Sequence, residues 1–479
     1  MEKKVSIKSN FFFNAFYQLI NIFVPLITTP YLSRVLKAEG LGEYSFAYSV
    51  AYYFYVFIRL GLHSYGNRSI AYVKDDRIQL SRIFCSIYAF QLFLGIIVSI
   101  TYFFYALLYA PERKLAMIFW LVVIAGTIDL TWFLYGLEEF RTTAIRDVVV
   151  KLFTTVCLFT FVNDITDVWI YALIYSMGFI ISQIVVIPLV IKRVNYIKPT
   201  IYEIKSHIKP NIILFLPTIA ISIYKVMDKI MLGILASSVE LGYYHCCENI
   251  ILVPLALITA LGTTMLPRMS NMLASDTVQT EMDNIFTKSV TFAMFTSSSM
   301  CIGIMTVAKE FVPIFYGAGF ERCIELFYII LPSCIFLAFA NVIRTQYLLP
   351  RKYDMIYVVS LFTGAGINLI LNLLLIPRLA SVGAAIGTLV AEMVVCLIQA
   401  GCVYKEARIG ICFKNSIPYV ISGVIMFIML HDYVVPFDND IMALIIKIII
   451  SGVVYLIVLG GIILVERLLK LFKVGSVAK

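Results

Sequence analysis

Three charged side chains within one strongly apolar stretch could bind an anion. Lys225, Asp228 and Lys229 are spaced by three and four residues, which places all of them on one face of a helix. Lysine offers phosphate a point charge, without the fixed fork of arginine. Because the cluster has one surplus positive charge, two interpretations stay open. It is either a cavity-facing anion site or a self-neutralising ion network that lets the helix insert into a membrane.

Further ionisable residues interrupt apolar stretches, where a charge is costly unless it faces a cavity or a partner. We assign Arg59 and Arg344 to substrate binding beside the two lysines. Carboxylates at such depth could instead exchange a coupling ion, H+ or Na+, and the candidates are Asp228, Glu392, Glu248 and Asp129. Glu392 and Glu248 could equally pair with a lysine of an opposing helix. Asp129 is too short to reach the membrane surface, so we expect it to pair with a cation such as Arg59.

Two lysines lie near the ends of apolar stretches, where a long side chain can reach the membrane surface. We expect Lys151 to do so, and the position of Lys447 favours the same behaviour. Proline removes an intrahelical hydrogen bond and permits a bend. Pro25 and Pro217 are therefore candidate gate hinges in their helices.

The elements that carry these residues are predicted from hydropathy. The chain has 479 residues, of which 61% are hydrophobic and 14% are charged, whereas soluble proteins have about 25% charged residues. The apolar residues form blocks of about 20, long enough to cross a bilayer as a helix. We predict an all-α polytopic membrane protein with about fourteen transmembrane helices, at 10–32, 43–63, 83–108, 115–136, 148–163, 168–191, 210–235, 241–266, 285–307, 325–349, 355–376, 383–404, 414–435 and 441–465.

The distribution of Lys and Arg predicts the orientation of these helices. If the N-terminus is inside, the inside segments contain 25 of these cations and the outside segments contain seven. The asymmetry alternates regularly from loop to loop. It predicts a multi-pass membrane protein with both termini in the cytoplasm.

An internal repeat relates the first helices to the seventh and eighth. At an offset of 200 residues, five residues recur: Leu32, Leu41, Gly42, Tyr44 and Arg68 match Leu232, Leu241, Gly242, Tyr244 and Arg268. Six helices separate the copies, so they have the same orientation in the membrane, a transporter layout. We predict two six-helix lobes, 1–197 and 198–409, followed by two helices and a cytoplasmic tail in 410–479.

Short segments throughout the chain resemble one family of transporters. They are NFFFNAFYQLINIFVPLITTPYLSRVL, EGLGEYSFA, MDKIMLGIL, GINLILNLLLIP and SVGAAIGTLVAE. In these the chain resembles the polysaccharide-repeat-unit flippases (the Wzx type, for O-antigen or capsule) of the multidrug/oligosaccharidyl-lipid/polysaccharide exporter superfamily. The resemblance implies a MATE-like, V-shaped pair of lobes around a central cavity. It also implies a location in the bacterial inner membrane, where undecaprenyl-pyrophosphate-linked oligosaccharide moves from the cytoplasmic to the periplasmic leaflet by alternating access.

Two other functions compete with this interpretation. A polysaccharide polymerase needs a sizeable outside loop for catalysis, but the longest predicted here, 308–324, has about 17 residues. A drug antiporter of the same superfamily would favour an acidic cavity, whereas the interior cations here favour an anionic lipid.

Motifs for enzymatic chemistry are missing from the sequence. It contains no Walker loop, no Gly-x-Gly-x-x-Gly and no His-Glu-x-x-His. We therefore expect a transporter rather than an enzyme, with no cofactor and no nucleic-acid partner. Its expected partners are the lipid-linked oligosaccharide, membrane lipids, and a polysaccharide polymerase and chain-length regulator.

Overall fold

The structure is a computed structural model that describes residues 7–274 and 279–477, with the backbone alone for 7–19, 217, 224, 225 and 470–477. The first part of the chain forms helices α1 Ile7–Arg59, α2 Leu62–Ala71, α3 Arg77–Leu108, α4 Arg113–Thr127, α5 Thr131–Gly136, α6 Phe140–Phe161, α7 Val168–Ile184, α8 Ile187–Ile191, α9 Ile201–Ser206 and α10 Ile208–Leu235. The second part forms α11 Ser238–Ala274, α12 Gln279–Thr306, α13 Ala308–Tyr316, α14 Arg322–Ile330, α15 Ser333–Ile343, α16 Asp354–Leu379, α17 Ser381–Cys402, α18 Ile409–Leu430 and α19 Asp440–Val477. A π-helical turn, Arg344–Leu348, follows α15.

Ten helical segments among the described residues are long and apolar enough to cross a membrane. The other four predicted spans correspond to three helices: α1 contains the first and second spans, α6 the fifth and α10 the seventh. Many large apolar side chains on these helices are exposed, among them Phe93 (65%) and Ile457 (68%). Since lipid covers such surfaces, the chain is a multi-pass membrane protein. The count of fourteen is compatible with these helices.

The two repeated segments break at equivalent positions. Lys37 in α1 has φ 56° and ψ −179°, which separates the first predicted span from the second. The corresponding break lies between Leu235, the end of α10, and Ser238, the start of α11. In contrast, α1 has helical dihedral angles at Pro25. The hinge roles of Pro25 and Pro217 stay predictions, and the Pro217 side chain lies outside the described residues.

Beside these breaks, the two copies contact each other reciprocally through their glycines. A Cβ atom on Gly42 would lie 1.7 Å from the carbonyl oxygen of Ser238. A Cβ atom on Gly242 would lie 1.9 Å from the carbonyl oxygen of Ala38. Both distances are far below van der Waals contact, so only glycine permits this approach of the two backbones. The repeat seen in the sequence is therefore present in the packing.

The contacts divide the chain into two compact units, residues 1–245 and 246–479. In the first unit, α1 packs against α4, α6 and α10, and α4 packs against α3 and α7. In the second unit, α16 packs against α17, while α12 packs against α15 and α18. Helix α19 packs against α18. The predicted lobe boundaries at 197 and 409 stay predictions.

The segment that precedes α10 is attached to the helices of the first unit. The ring nitrogens of His207 share hydrogen bonds with the hydroxyl groups of Tyr65 (2.6 Å) and Ser86 (2.8 Å). Glu203 forms an ion pair with Arg82 at 3.1 Å. Burial lowers the pKa of His207 below its ordinary value, so the neutral imidazole is favoured in this position.

Lys447 differs from its expected behaviour as a surface-seeking side chain. Its side chain is 1% exposed and its ammonium lies 2.6 Å from Oε1 of Glu310 on α13. It also donates to the carbonyl of His431 at 3.5 Å. An ion pair at the end of α13 stabilises this lysine within the protein, so it has no need to reach the membrane surface.

Candidate substrate cavity

A break in the fourth predicted span positions an acidic residue. Helix α4 ends at Thr127 and α5 begins at Thr131, so carbonyl groups at the end of α4 need donors from outside the helix. The side-chain amide of Gln91 donates to the carbonyls of Gly126 (3.0 Å) and Asp129 (2.9 Å). Its oxygen accepts from the indole N–H of Trp132 at 2.9 Å. Gln91 thus supplies hydrogen bonds to the carbonyl groups at the break and holds Asp129 in the protein interior.

Asp129 forms the expected pair with Arg59. The Nε atom of Arg59 lies 3.0 Å from Oδ2 of Asp129. The Tyr55 hydroxyl donates to that same oxygen and accepts from Nη1 of Arg59, both at 3.0 Å. Oδ1 of Asp129 accepts from the backbone N–H of Thr131 at 2.9 Å. These bonds connect α1 to the break between α4 and α5, so the predicted Arg59–Asp129 pairing is confirmed.

A cavity of about 610 Å³ lies beside this network, within the first unit. Side chains of α1, α2, α5, α6, α7 and α10 line it, and so does Asp129 in the break between α4 and α5. Among the residues that the structure describes, the lining contains the cations Arg59, Arg146 and Lys151, the acids Asp129 and Asp147, and His63. With neutral histidine, three cations against two acids give this lining a surplus of one positive charge.

Two cavity cations on α6 are new relative to the predicted sites. Arg146 fell in a predicted loop because the fifth span was expected to begin at 148, but α6 begins at Phe140. The Arg146 side chain is 6% exposed, and its Nη2 lies 2.8 Å from Oδ1 of Asp147. Lys151 was expected to reach the membrane surface. It donates instead to the Asn21 side chain on α1 at 2.6 Å.

Aromatic rings form part of the cavity wall. Tyr52 and Tyr55 line it with stacked rings whose centroids are 5.9 Å apart. Phe179 meets the Tyr55 ring edge-on at 6.0 Å and lies 5.3 Å from Tyr175. Sugar rings present C–H faces that pack on such aromatic surfaces, while tyrosine hydroxyls offer hydrogen bonds. Tyr53, by contrast, donates to the carbonyl of Ser222 at 3.2 Å.

The charged cluster of the seventh predicted span lies on α10, the helix that also contributes Thr218 to the cavity lining. Asp228 is 3% exposed and accepts from the Tyr244 hydroxyl at 2.7 Å. Neither Asp228 nor Lys229 contributes to the cavity lining. The Lys225 side chain lies outside the described residues. Substrate binding and ion coupling by this cluster stay predictions.

The remaining candidates belong to the second unit. Nη1 of Arg344 donates to the Tyr357 hydroxyl at 3.2 Å, and the guanidinium lies over that ring. Glu392 on α17 is 3% exposed and has no ion-pair partner among the residues that the structure describes. Glu248 on α11 is half-buried. Substrate binding by Arg344 and ion coupling by Glu392 and Glu248 stay predictions.

A family model described as "Polysaccharide biosynthesis protein" matches residues 7–273, more than half of the chain. The chain belongs to this family. It is 24% identical over 398 residues to the "Putative O-antigen transporter" of Escherichia coli (strain K12), covering 82% of this chain and 95% of that protein. Membership confirms the family resemblance that the sequence segments indicated.

Solved structures show the same fold. The inward closed conformation of the lipid II flippase MurJ superimposes with a TM-score of 0.68 at 16% identity, over 92% of this chain and 99% of that one. An inward-facing MATE multidrug transporter of the MOP superfamily gives a TM-score of 0.58 at 12% identity, over 82% and 99%. This polysaccharide biosynthesis family member therefore has the MurJ- and MATE-like fold that the sequence predicts.

Arg146, Asp147 and Asn21 are cavity residues that sequence reasoning did not identify. Arg146 and Asp147 are adjacent charges, which usually mark a loop, and they occupy the first two turns of α6. The separation of Asp147 and Lys151 by four residues was the available signal, because it places them on one helix face. Asn21 gave no signal, since its contact with Lys151 joins residues 130 positions apart.

Proposed function

We propose that this protein is a flippase for undecaprenyl-pyrophosphate-linked oligosaccharide repeat units. It moves them from the cytoplasmic to the periplasmic leaflet by alternating access, for the synthesis of O-antigen or capsule. The single observation that carries the proposal is the cavity of about 610 Å³, lined by cations and tyrosines inside a helical membrane protein of this family. The name of the E. coli relative, an O-antigen transporter, supports the same substrate class.

The cavity chemistry suits such a substrate. A lipid-linked oligosaccharide couples an anionic diphosphate to neutral or acidic sugars, and neither part enters the hydrocarbon core unaided. Cations stabilise the diphosphate strongly in a site of low dielectric constant. Aromatic rings and hydroxyl groups suit the faces and edges of sugars. The volume falls within the range of about 300–1,000 Å³ that is typical of ligand sites.

The energy for transport would come from an ion gradient, the membrane potential or downstream consumption of the product. H+ or Na+ is the proposed coupling ion, with Asp228, Glu392, Glu248 and Asp129 as candidate sites. Glu392 is the strongest of these on environment, because it is buried and lacks an ion-pair partner among the described residues. Asp129 is the weakest, because Arg59 already neutralises it.

The proposal places the protein in the inner membrane with both termini cytoplasmic, although residues 1–6, 478 and 479 lie outside the described chain. Pro25 and Pro217 are the proposed gate hinges, and Arg344, Lys225 and Lys229 are proposed to contact substrate in other stages of transport. A polymerase and a chain-length regulator, which use the translocated product, are the proposed protein partners.

Purified protein in liposomes tests this function directly. Fluorescently labelled lipid-linked oligosaccharide is incorporated, and a membrane-impermeant reagent reports the fraction in the outer leaflet. We expect exchange between leaflets with the protein and none with empty liposomes. Failure to move any of several lipid-linked oligosaccharides, combined with transport of cationic drugs, would reject the proposal in favour of the antiporter.

A further inference from the structure

The cations of the 610 Å³ cavity differ in how completely their hydrogen-bonding capacity is used. All three guanidinium nitrogens of Arg59 have partners: Nε bonds to Asp129, Nη1 to Tyr55, and Nη2 to Nδ1 of His63 at 3.5 Å. Its charge is neutralised by the carboxylate, and its donors are directed to Tyr55 on α1, to His63 on α2 and to the break after α4. Arg59 thus acts as a cross-link between helices, with little capacity left for a ligand.

Arg146 is only partly satisfied. Its Nε and Nη2 atoms both lie close to Oδ1 of Asp147, at 2.9 and 2.8 Å. Its Nη1 atom is buried and has no hydrogen-bond partner among the residues that the structure describes. A buried guanidinium nitrogen without an acceptor costs free energy, because it has lost water and gained nothing in exchange. An acceptor from outside the chain would remove that cost.

Lys151 lacks a carboxylate partner within ion-pair distance among the described residues. Its ammonium donates to a neutral amide oxygen, that of Asn21. An ammonium group has three donors, so two of them stay available to the cavity. Since α6 has 3.6 residues per turn, Asp147 and Lys151 lie on one face, and Asp147 also holds the side chain of Arg146.

We propose that Arg146 and Lys151 form an oxyanion subsite in this cavity, with Asp147 as a positioning residue. The ligand is a phosphate or carboxylate group of the lipid-linked headgroup, either the diphosphate or an acidic sugar. Single-point donors such as Nη1 of Arg146 and the ammonium of Lys151 suit an oxyanion with several acceptor atoms. This inference rests on the proposed function and goes beyond it, since it names the residues and the chemical group.

Binding of soluble probes to the purified protein tests the subsite. Inorganic pyrophosphate and glucuronate are titrated separately by calorimetry. We expect at least one of them to bind and Lys151→Met to weaken that binding at least tenfold, with Lys151→Arg recovering part of it because the charge is kept. The probe that binds identifies the source of the oxyanion. Lys205→Met removes an exposed cation outside the cavity and is the matched control, expected to bind as the natural protein does.

Arg146 needs a variant that leaves no unpaired acid. The double variant Arg146→Gln, Asp147→Asn removes both charges, so it keeps the net charge and avoids a buried carboxylate without a partner. We expect this double variant also to weaken binding of the probe at least tenfold. Binding of neither probe by the natural protein, or unchanged binding by the folded Lys151 and Arg146 variants, overturns the subsite.

The liposome assay separates this inference from the proposed function. If the natural protein does not move lipid-linked oligosaccharide, the proposed function is rejected, whatever the result of the probe-binding experiment. If the natural protein is active and Lys151→Met is equally active at equal incorporation, the function stands and the subsite is wrong. Activity reduced at least tenfold in Lys151→Met, with Lys205→Met unchanged, supports both.

Discussion

Arg59 and Lys151 line the same cavity but have different roles. Arg59 cross-links helices, whereas Lys151 keeps donors available to a ligand. Both cations were visible in the sequence as interruptions of apolar stretches, and the Arg59–Asp129 pairing was predictable because Asp129 is too short to reach the surface. The availability of Lys151 was not predictable. It depends on Asn21, a residue brought near only by the packing of α1 on α6.

The Arg59–Asp129 network predicts an asymmetric response to mutation. Arg59→Gln leaves a buried carboxylate without its counter-charge and should destabilise the protein by about 3–5 kcal/mol. Arg59→Gln with Asp129→Asn removes both charges and should recover most of this loss. Unfolding in detergent, followed by intrinsic fluorescence, measures both. Equal destabilisation by the single and double variants would show that the ion pair is not what makes Arg59 important.

At the scale of the helix, hydropathy predicts where a span lies but not where it breaks. Residues 115–136 read as one apolar span, yet the helix stops at Thr127 and resumes at Thr131. The signal for the break is Gln91, which lies 35 or more positions earlier in the chain and satisfies its carbonyls. A single polar side chain within an apolar helix has many potential partners, so its sequence position does not reveal which it selects.

Gln91→Leu tests the role of Gln91 at the break. It removes the donor to the carbonyls of Gly126 and Asp129 and the acceptor for Trp132, so we expect destabilisation of about 1–3 kcal/mol. Gln79→Leu is the matched control, because Gln79 is exposed on the same helix, and it should change stability by less than about 0.5 kcal/mol. Thermal unfolding in detergent distinguishes them. Similar effects of the two substitutions would contradict this role.

Adjacent ion pairs around α13 provide a second comparison. Lys447 is buried in its pair with Glu310, whereas Lys309, in its pair with Asp432, is 49% exposed. We expect Lys447→Met to cost about 3 kcal/mol, since Glu310 is left without a partner. Lys309→Met should cost much less, because exposed ion pairs at a protein surface contribute little to stability. Chemical denaturation of the two variants measures both losses of stability. Equal losses would show that the buried Lys447–Glu310 pair contributes no more than the exposed Lys309–Asp432 pair.

His207 makes the attachment of α9 dependent on pH. Because burial lowers its pKa in the folded state, the detached segment takes up a proton more readily than the attached one. Stability of the attachment should therefore fall as the pH drops from 7 to 5 through the ordinary histidine pKa of about 6.5. Glu203 and Arg82 are the charged groups nearby.

Hydrogen exchange of residues 201–207 measures this attachment. After correction for the intrinsic rate, we expect faster exchange at pH 5 than at pH 7 in the natural protein. His207→Gln cannot titrate, so its corrected exchange should be the same at both values. Protection of the natural protein that is independent of pH would rule out this role for His207.

At the scale of the whole chain, the fold class, the family and the repeat follow from the sequence. Hydropathy predicts the spans, and the Leu-Gly pairs at 41–42 and 241–242 mark the repeat. The sequence does not reveal that these glycines permit direct contact between the copies. A glycine in a helix has many explanations, and only the packing shows that Ser238 and Ala38 occupy the space of the missing side chains.

Reciprocal packing predicts equal effects for equivalent substitutions. Gly42→Ala and Gly242→Ala each place a Cβ atom within 2 Å of a carbonyl oxygen, so both should lower thermal stability and to a similar degree. Gly366→Ala is the control, because its new Cβ atom would meet no described atom of another helix within 4 Å and alanine favours helix. Thermal unfolding of all three variants provides the measurement. A large difference between the two equivalent variants would show that the two contacts are energetically unequal.

The glycine contact also constrains how this chain could have originated. Each copy contributes the same glycine, and each accepts the partner's glycine at the same position, Ala38 or Ser238. That is the geometry of an isologous interface, which two identical polypeptides form about a two-fold axis. A single gene of half the length would encode every atom needed for the contact. Its product could assemble as a homodimer before duplication and fusion joined the halves, so the contact that now lies within one chain is one that an ancestral dimer could already have made.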